Sequence, residues 1–314
     1  MLSKKQQRKI IKSFYGAGND LNKSIGRLYR IANRQIKGEI SAFLADKVNW
    51  LSKPSKADIQ DALDELAQFG EDVQPLTNFY ASGLLLGHPK MGDVVTAHIA
   101  TPMIRVASQI HKMVGAMGHQ APKQIRNATV AQHAVTPRLH KIPYNYDVML
   151  QKSVSRSVAQ REGIHTNINR NIQQTISKIK DICKTASMDT DAKHDYVKDV
   201  DRVLNGKDGT GGSLARARTI FRTQTCRELN GATIGDLKAR GVTKYRFLSL
   251  ESSNTCAECS HIDGNIYDVE DAEEGINMPP MHPNCQCWIE GVEETDTDDL
   301  PTVDEMMDNQ DLFE

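Results

Sequence analysis

The sequence predicts a mainly α protein: a helical N-terminal region and a helical core, followed by a small β-containing module and a disordered acidic tail. Three observations predict it. Apolar residues recur at steps of three and four over long stretches, which is the spacing of one helical face. Near residue 245 the period shortens toward that of a strand, and a cluster of cysteines follows. Residues 290–314 then hold 11 acidic residues and no basic one, a composition with too little apolar surface to form a core.

Leu21, Ile25, Leu28, Ala32, Ile36, Ile40 and Phe43 define one stripe of a long amphipathic helix. Gly26 and Gly38 each cost such a helix about 1 kcal/mol relative to Ala, which weakens the case for an unbroken rod. Lys23, Arg27, Arg30, Arg34 and Lys37 repeat the same steps, displaced by two residues. That displacement is about 200° of rotation, so the five bases lie opposite the stripe. Between Asp20 and Glu39 the sequence has no acid to pair with them. The helix is read as offering an oily face to a protein and a cationic face to a polyanion.

A second helix starts at Ser55, where Asp58 completes a capping box, and Ile59, Leu63, Leu66 and Phe69 form its apolar face. Residues 75–145 are helical in character, but Gly115, Gly118, Pro122, Pro137 and Pro143 predict short helices and loops. From 146 to about 186 few breakers occur apart from Gly163, and a long helix or helical pair is expected. Residues 205–212 are a loop on glycine content. Ser213 is read as the cap of a helix whose path is Leu214, Ala217, Phe221, Thr225, Leu229 and Ala232, with Gly241 as its stop. Tyr245, Phe247 and Leu250 predict a short strand.

The domains expected are a basic helical N-terminal region over 1–145, a motif-bearing domain over 146–292 (helices 146–240, β-containing module 245–292) and the acidic tail over 293–314. The net charge of −1 conceals this segregation. Residues 1–60 hold 13 Lys and Arg against 4 acids, and residues 101–180 hold 12 against 2. Two basic segments point to non-specific contact with nucleic acid, with Lys23, Arg27, Arg30, Arg34 and Lys37 as the candidate DNA-binding residues. No run approaches the eighteen or so apolar residues of a membrane span, and no apolar stretch follows the basic start as in a secretory signal. The expectation is a cytoplasmic product with no membrane contact.

Six cysteines are present. Cys183 and Cys226 stand alone on helical stretches and are read as buried small hydrophobes. The rest form Cys256-Ala-Glu-Cys259, then 22 residues, then His282-Pro-Asn-Cys285-Gln-Cys287. A CxxC turn places two thiolates where one tetrahedral Zn²⁺ can take both, and an HxxCxC segment closes the site from the other side. The module over 245–292 is therefore read as zinc-binding, with the metal structural. Five candidates compete for four places: Cys256, Cys259 and His282, with Cys285 as fourth ligand and Cys287 close behind. If residues 285–287 are extended, both thiols point to one face, and spacing does not choose between them. His261 is a lesser substitute. A catalytic zinc needs an open coordination place and a general base, whereas ligands are in surplus here and neither Glu258 nor Asp263 sits in an HxE or HExxH setting.

These residues carry a family resemblance. Residues 215–288 resemble the head morphogenesis domain of phage minor head proteins, the family named after the F protein of phage Mu. The matching residues are Arg222-Thr223-Gln224, Gly241-Val242, Cys256-Ala-Glu-Cys259, Asp263-Gly264 and Pro279-Pro280-Met281-His282-Pro283-Asn284-Cys285-Gln286-Cys287. Gln224 stands where the family has Glu, and Gln286 where it has Arg. If Arg222 and that Glu form a buried ion pair in relatives, a weaker neutral hydrogen bond replaces it here. Such a change suits a structural network better than an acid/base role.

The resemblance implies a minor head (capsid) protein of a tailed phage, not an enzyme. It implies action in head morphogenesis near the portal, contact with portal and inner capsid proteins and with packaged DNA, and a place in the virion after assembly in the host cytoplasm. The stripe over 21–43 is longer than the apolar face over 59–69, so part of it is expected to stay free for portal or inner capsid. The alternative from another class is a zinc-finger-containing nucleic-acid enzyme such as a nuclease. It requires a His or carboxylate constellation outside the metal ligands, yet His88, His111, His133 and His140 are scattered.

Overall fold

A computed structural model of the chain describes residues 4–135, 142–189, 194–207, 210–250 and 255–292. In order, its elements are α1 (Lys4–Ala45), α2 (Lys56–Ala67), a 3-10 turn (Glu71–Val73), α3 (Gln74–Leu85), α4 (Met91–Val135), α5 (Tyr146–Met188), α6 (Tyr196–Asn205), α7 (Gly212–Arg240), β1 (Lys244–Leu248), α8 (Ala257–His261), β2 (Ile266–Asp268) and β3 (Trp288–Val292). The chain is mostly helical with one small sheet, as expected. The tail over 293–314 lies outside the described residues.

The chain divides into two compact units. One takes its described residues from Met1–Phe14, Gln120–Ser157 and Cys226–Glu314, the other from Tyr15–His119 and Val158–Thr225. Helices α1, α4, α5 and α7 each supply residues to both.

In the second unit, helices bury one another's apolar faces. Ile25, Ile36 and Ile40 of α1 are wholly buried and Ala32 nearly so, so the stripe is not free for another protein. That corrects the expectation, and the reason is tertiary. Helices α5, α6 and α7, all distant in the chain, meet α1. Tyr29 shares hydrogen bonds with the Ser213 hydroxyl of α7 (2.8 Å) and the Asn171 amide of α5 (3.3 Å). Asp201 of α6 accepts from Asn33 and Lys37. Phe43 meets Trp50 edge to face with centroids 5.6 Å apart. Gly26 and Gly38 do not break the rod. At Gly26 a Cβ would come 2.4 Å from the end of the Arg218 side chain, which would have to move aside.

Three more local expectations meet the structure here. The capping box of α2 forms, Ser55 accepting from the Asp58 backbone while Asp58 accepts from the Ser55 backbone. Ser213 is not a cap: it lies inside the first turn of α7, wholly buried, with its hydroxyl committed to Tyr29 and Asn171. The short helices expected over 75–145 are, from Met91 on, one helix that runs through Pro102, Gly115, Gly118 and Pro122. A proline inside a helix forfeits a backbone bond and costs about 3 kcal/mol. Burial of Ile99, Ala100, Met103, Ile104, Val114, Met117 and Ala121 along the same helix outweighs that loss. Pro137 lies outside the described residues.

In the first unit the C-terminal half of α7 carries a three-stranded antiparallel sheet of order β2-β1-β3. Gly241 ends α7 at φ 74°, a conformation open to glycine, with Gly241 N–H bonding to the Lys238 carbonyl and Val242 N–H to the Leu237 carbonyl. This turn sends the chain straight into β1. Leu237, Tyr245, Val269 and Ile289 form a core between helix and sheet. Asp236, 3 % exposed, accepts from the Thr129 hydroxyl of α4 (2.7 Å), the Tyr146 hydroxyl of α5 (2.5 Å) and Arg240 (2.9 Å). One buried carboxylate thus ties three helices, with its charge met by the guanidinium.

Candidate metal centre and cationic face

The five candidate ligands converge on the edge of this sheet. Cys256 caps the short helix α8, its Sγ accepting from the Cys259 N–H at 3.3 Å, so both thiols of the CxxC lie on one turn. Residues 282–287 form a tight turn, with the Cys285 N–H donating to the His282 carbonyl and Asn284 at φ 66°. It leads directly into β3, whose full ladder with β1 holds the turn in place.

His282 Nε2 lies 3.1 Å from Cys256 Sγ and 3.4 Å from Cys259 Sγ. Its Nδ1–H donates to the Pro283 carbonyl at 2.8 Å, which leaves the Nε2 lone pair facing the two thiols. The ligand atoms of Cys256, Cys259 and His282 lie within 4.8 Å of one another, and so do those of Cys259, Cys285 and Cys287. Cys259 belongs to both groups. Cys259, Cys285 and Cys287 are buried, Cys256 and His282 half-buried.

The electrostatics of the thiols follow from this crowding. The Cys259 N–H, above all, holds Cys256 below the ordinary thiol range. Burial pushes Cys259 up to about 12. The neighbouring Cys226 and Cys287 thiols favour Cys285 as the thiolate, and Cys287 is correspondingly held as the thiol. A divalent cation among these sulfurs displaces their protons and removes the repulsion between thiolates. Soft sulfur and imidazole donors in a compact group suit a tetrahedral ion of the zinc type, so these Cys/His groups can hold a metal.

Two residues outside the spaced motif position it. Cys226 was read as standing alone; it is indeed buried, but its thiol donates to the Cys287 carbonyl at 3.5 Å. Asn230, one helical turn on, donates to the same carbonyl at 3.1 Å and to the Cys226 carbonyl at 2.9 Å. The only trace of this in sequence is their four-residue spacing, which puts both on one face of α7. Arg222 is exposed, and it is Arg227 that makes a two-pronged pair, with Glu274 of the loop between β2 and the His282 turn.

The cationic face of α1 belongs to the other unit. Arg27, Arg30 and Arg34 are exposed on one side of the helix, and Arg27 donates to Ser24. Lys23 pairs with Asp20 at 2.8 Å and Lys37 with Asp201 at 2.7 Å. The second pairing escapes a reading of α1 alone, because the acid comes from α6. No helix among the described residues is long and apolar enough to cross a membrane.

Residues 162–290 match a family model described as Phage Mu protein F like protein. No curated protein and no solved structure gives a significant match. The matched span contains all five candidate ligands together with Cys226, Asn230 and the Arg227–Glu274 pair. Over residues 162–290, under half of its length, the chain is thus similar to the Phage Mu protein F-like family.

Proposed function

We propose that the chain is a minor head (capsid) protein of a tailed phage, a non-enzymatic part acting in head morphogenesis near the portal. The observation that carries this reading is the coincidence of the family match with the converging Cys/His cluster. Its morphogenesis domain, 146–292, is held by one structural Zn²⁺ on Cys256, Cys259 and His282, with Cys285 as the fourth ligand and Cys287 its alternate. The bound ion supplies a cross-link and no chemistry. The chain's own residues do the rest: Cys226 and Asn230 aim the 285–287 segment, and Pro283 orients the imidazole.

The protein is placed in the host cytoplasm during assembly and inside the head afterwards, in contact with portal and inner capsid proteins. Co-expression with portal is expected to yield a complex, and the chain is expected in purified heads. Heads that assemble to normal infectivity without it sink this reading.

DNA contact is assigned to the α1 face, through Lys23, Arg27, Arg30, Arg34 and Lys37. Each phosphate neutralised adds about 0.9 to the slope of log affinity against log salt. Replacing Arg27, Arg30 and Arg34 by Gln is expected to flatten that slope by two to three, at about 0.9 for each lost contact. An unchanged slope removes DNA from this helix.

A further inference from the structure

The second unit carries an apolar groove that nothing above uses. Its walls are Phe79, Tyr80 and Leu86 from α3 and its following turn, Ile176 from α5, and the paired Asp93 and Lys180 at one end, enclosing about 720 Å³. That volume lies within the range of binding clefts. The α3 side is unusually oily for a surface: Phe79 is 59 % exposed, Leu85 64 % and Leu86 75 %.

Charge around the groove is positive. The α5 rows that line it continue into exposed Lys178 and Lys184, and exposed Lys90 follows the Leu86 turn. Two acids stand nearby. Asp93 is already engaged by the Lys90 backbone N–H at 3.0 Å and the Lys180 ammonium at 3.2 Å, and Asp181 is exposed. The occupant this calls for is a peptide with apolar anchors set among carboxylates.

The sequence contains one such segment. Residues 293–314 hold ten acids and no base, interleaved with Leu300, Val303, Met306, Met307, Leu312 and Phe313. We infer that the groove between α3 and α5 binds the acidic segment 300–314 of a second copy of the chain, with Leu312 and Phe313 as anchors on Phe79 and Leu86. A segment supplied by a second copy makes the contact dependent on protein concentration, and self-association is what distinguishes it from docking within one chain. Aromatic and large apolar anchors in a lined cleft carry most of the affinity of such contacts, and the lysines hasten encounter.

The test is self-association of the full chain, measured by sedimentation. Wild-type chain is expected to associate, more weakly as salt rises. Phe79 and Leu86 are exposed, so Leu86→Glu leaves the fold intact; it is expected to weaken association by about tenfold or more, as is the double change Leu312→Asp, Phe313→Asp. A mixture of the two variants is expected to associate, since one supplies an intact groove and the other an intact segment. A free peptide of residues 298–314 is expected to dissociate the wild type. Wild-type chain that stays monomeric, variants that associate as well as wild type, or a mixture no better than its components each overturn the assignment.

Discussion

His111 lies 3 % exposed on α4, its Nδ1–H donating to the Asp72 carbonyl at 2.8 Å and its ring stacked on His165 with centroids 4.1 Å apart. The two histidines are far apart in sequence and meet only through the packing of α4 and α5. Burial first, and the neighbouring His165 second, hold His111 at about 4 against an ordinary 6.5. The Asp72 backbone opposes this more weakly, and the Asp72 carboxylate is itself engaged by the Ser108 hydroxyl at 2.6 Å. The folded state therefore binds this proton less readily than the unfolded chain. The stability involved is fully present above pH 6.5 and is lost as pH falls from there through about 4. A shift of this size is worth about 3 kcal/mol. The resistance of the second unit to denaturant is expected to fall steadily below pH 6.5, while His111→Phe, which keeps an aromatic ring, flattens that pH dependence. A variant with the wild-type pH slope assigns acid sensitivity to other groups.

Elements with local signals were legible in the sequence, and elements set by distant partners were not. Ser55 and Asp58 announce α2 because both capping bonds lie within four residues, and Gly241 announces the end of α7 because only a left-handed turn closes it. The CxxC and HxxCxC spacings place the cluster for the same reason. By contrast, α4 runs through two prolines because of what it packs against, and Ser213 gives up capping for Tyr29 and Asn171. The pairing of Lys37 with Asp201, and of Arg227 with Glu274, joins residues far apart in the chain. The contact between α7 and the sheet is another such case. At Gly291 of β3 a Cβ would stand 2.5 Å from a methyl of Leu237, itself 1 % exposed in the core. The Leu237 side chain must shift to admit it, so Gly291→Ala is expected to destabilise by about 1–3 kcal/mol, the cost of overpacking. Calorimetry or denaturant titration reads this, and Leu237→Ala should partly relieve it in the double variant. Strict additivity of the two changes means that helix and strand do not meet at this point.

Across the whole molecule, the Cys/His cluster and its braces lie in one compact unit, while the buried α1 stripe, the His111–His165 pair and the α3 groove lie in the other. In the first unit the sheet packs on α7 through Leu237, Tyr245, Val269 and Ile289, and the loops that carry the Cys/His cluster lie beside that core. β1 and β3 have five residues each and β2 three, too short for independent stability, and the 255–287 stretch contains only one helical turn. A structural ion there contributes directly to folding free energy, because the unfolded chain has no preformed site. The second unit has long helices with wholly buried Ile25, Ile36, Ile40, Ile99 and Ile104, and needs no such cross-link. Purified protein is accordingly expected to carry about one zinc per chain, the capacity of a single four-ligand site. Chelation, or Cys259→Ser, is expected to abolish amide-exchange protection in 244–292 while leaving protection in α1 beyond Tyr15 and in α5 beyond Val158. Loss of protection in both units together means that α7, which runs through both, couples them into one folding unit. Unchanged protection of 244–292 without metal means that helix α7 and the Asp236 network suffice to fold the module.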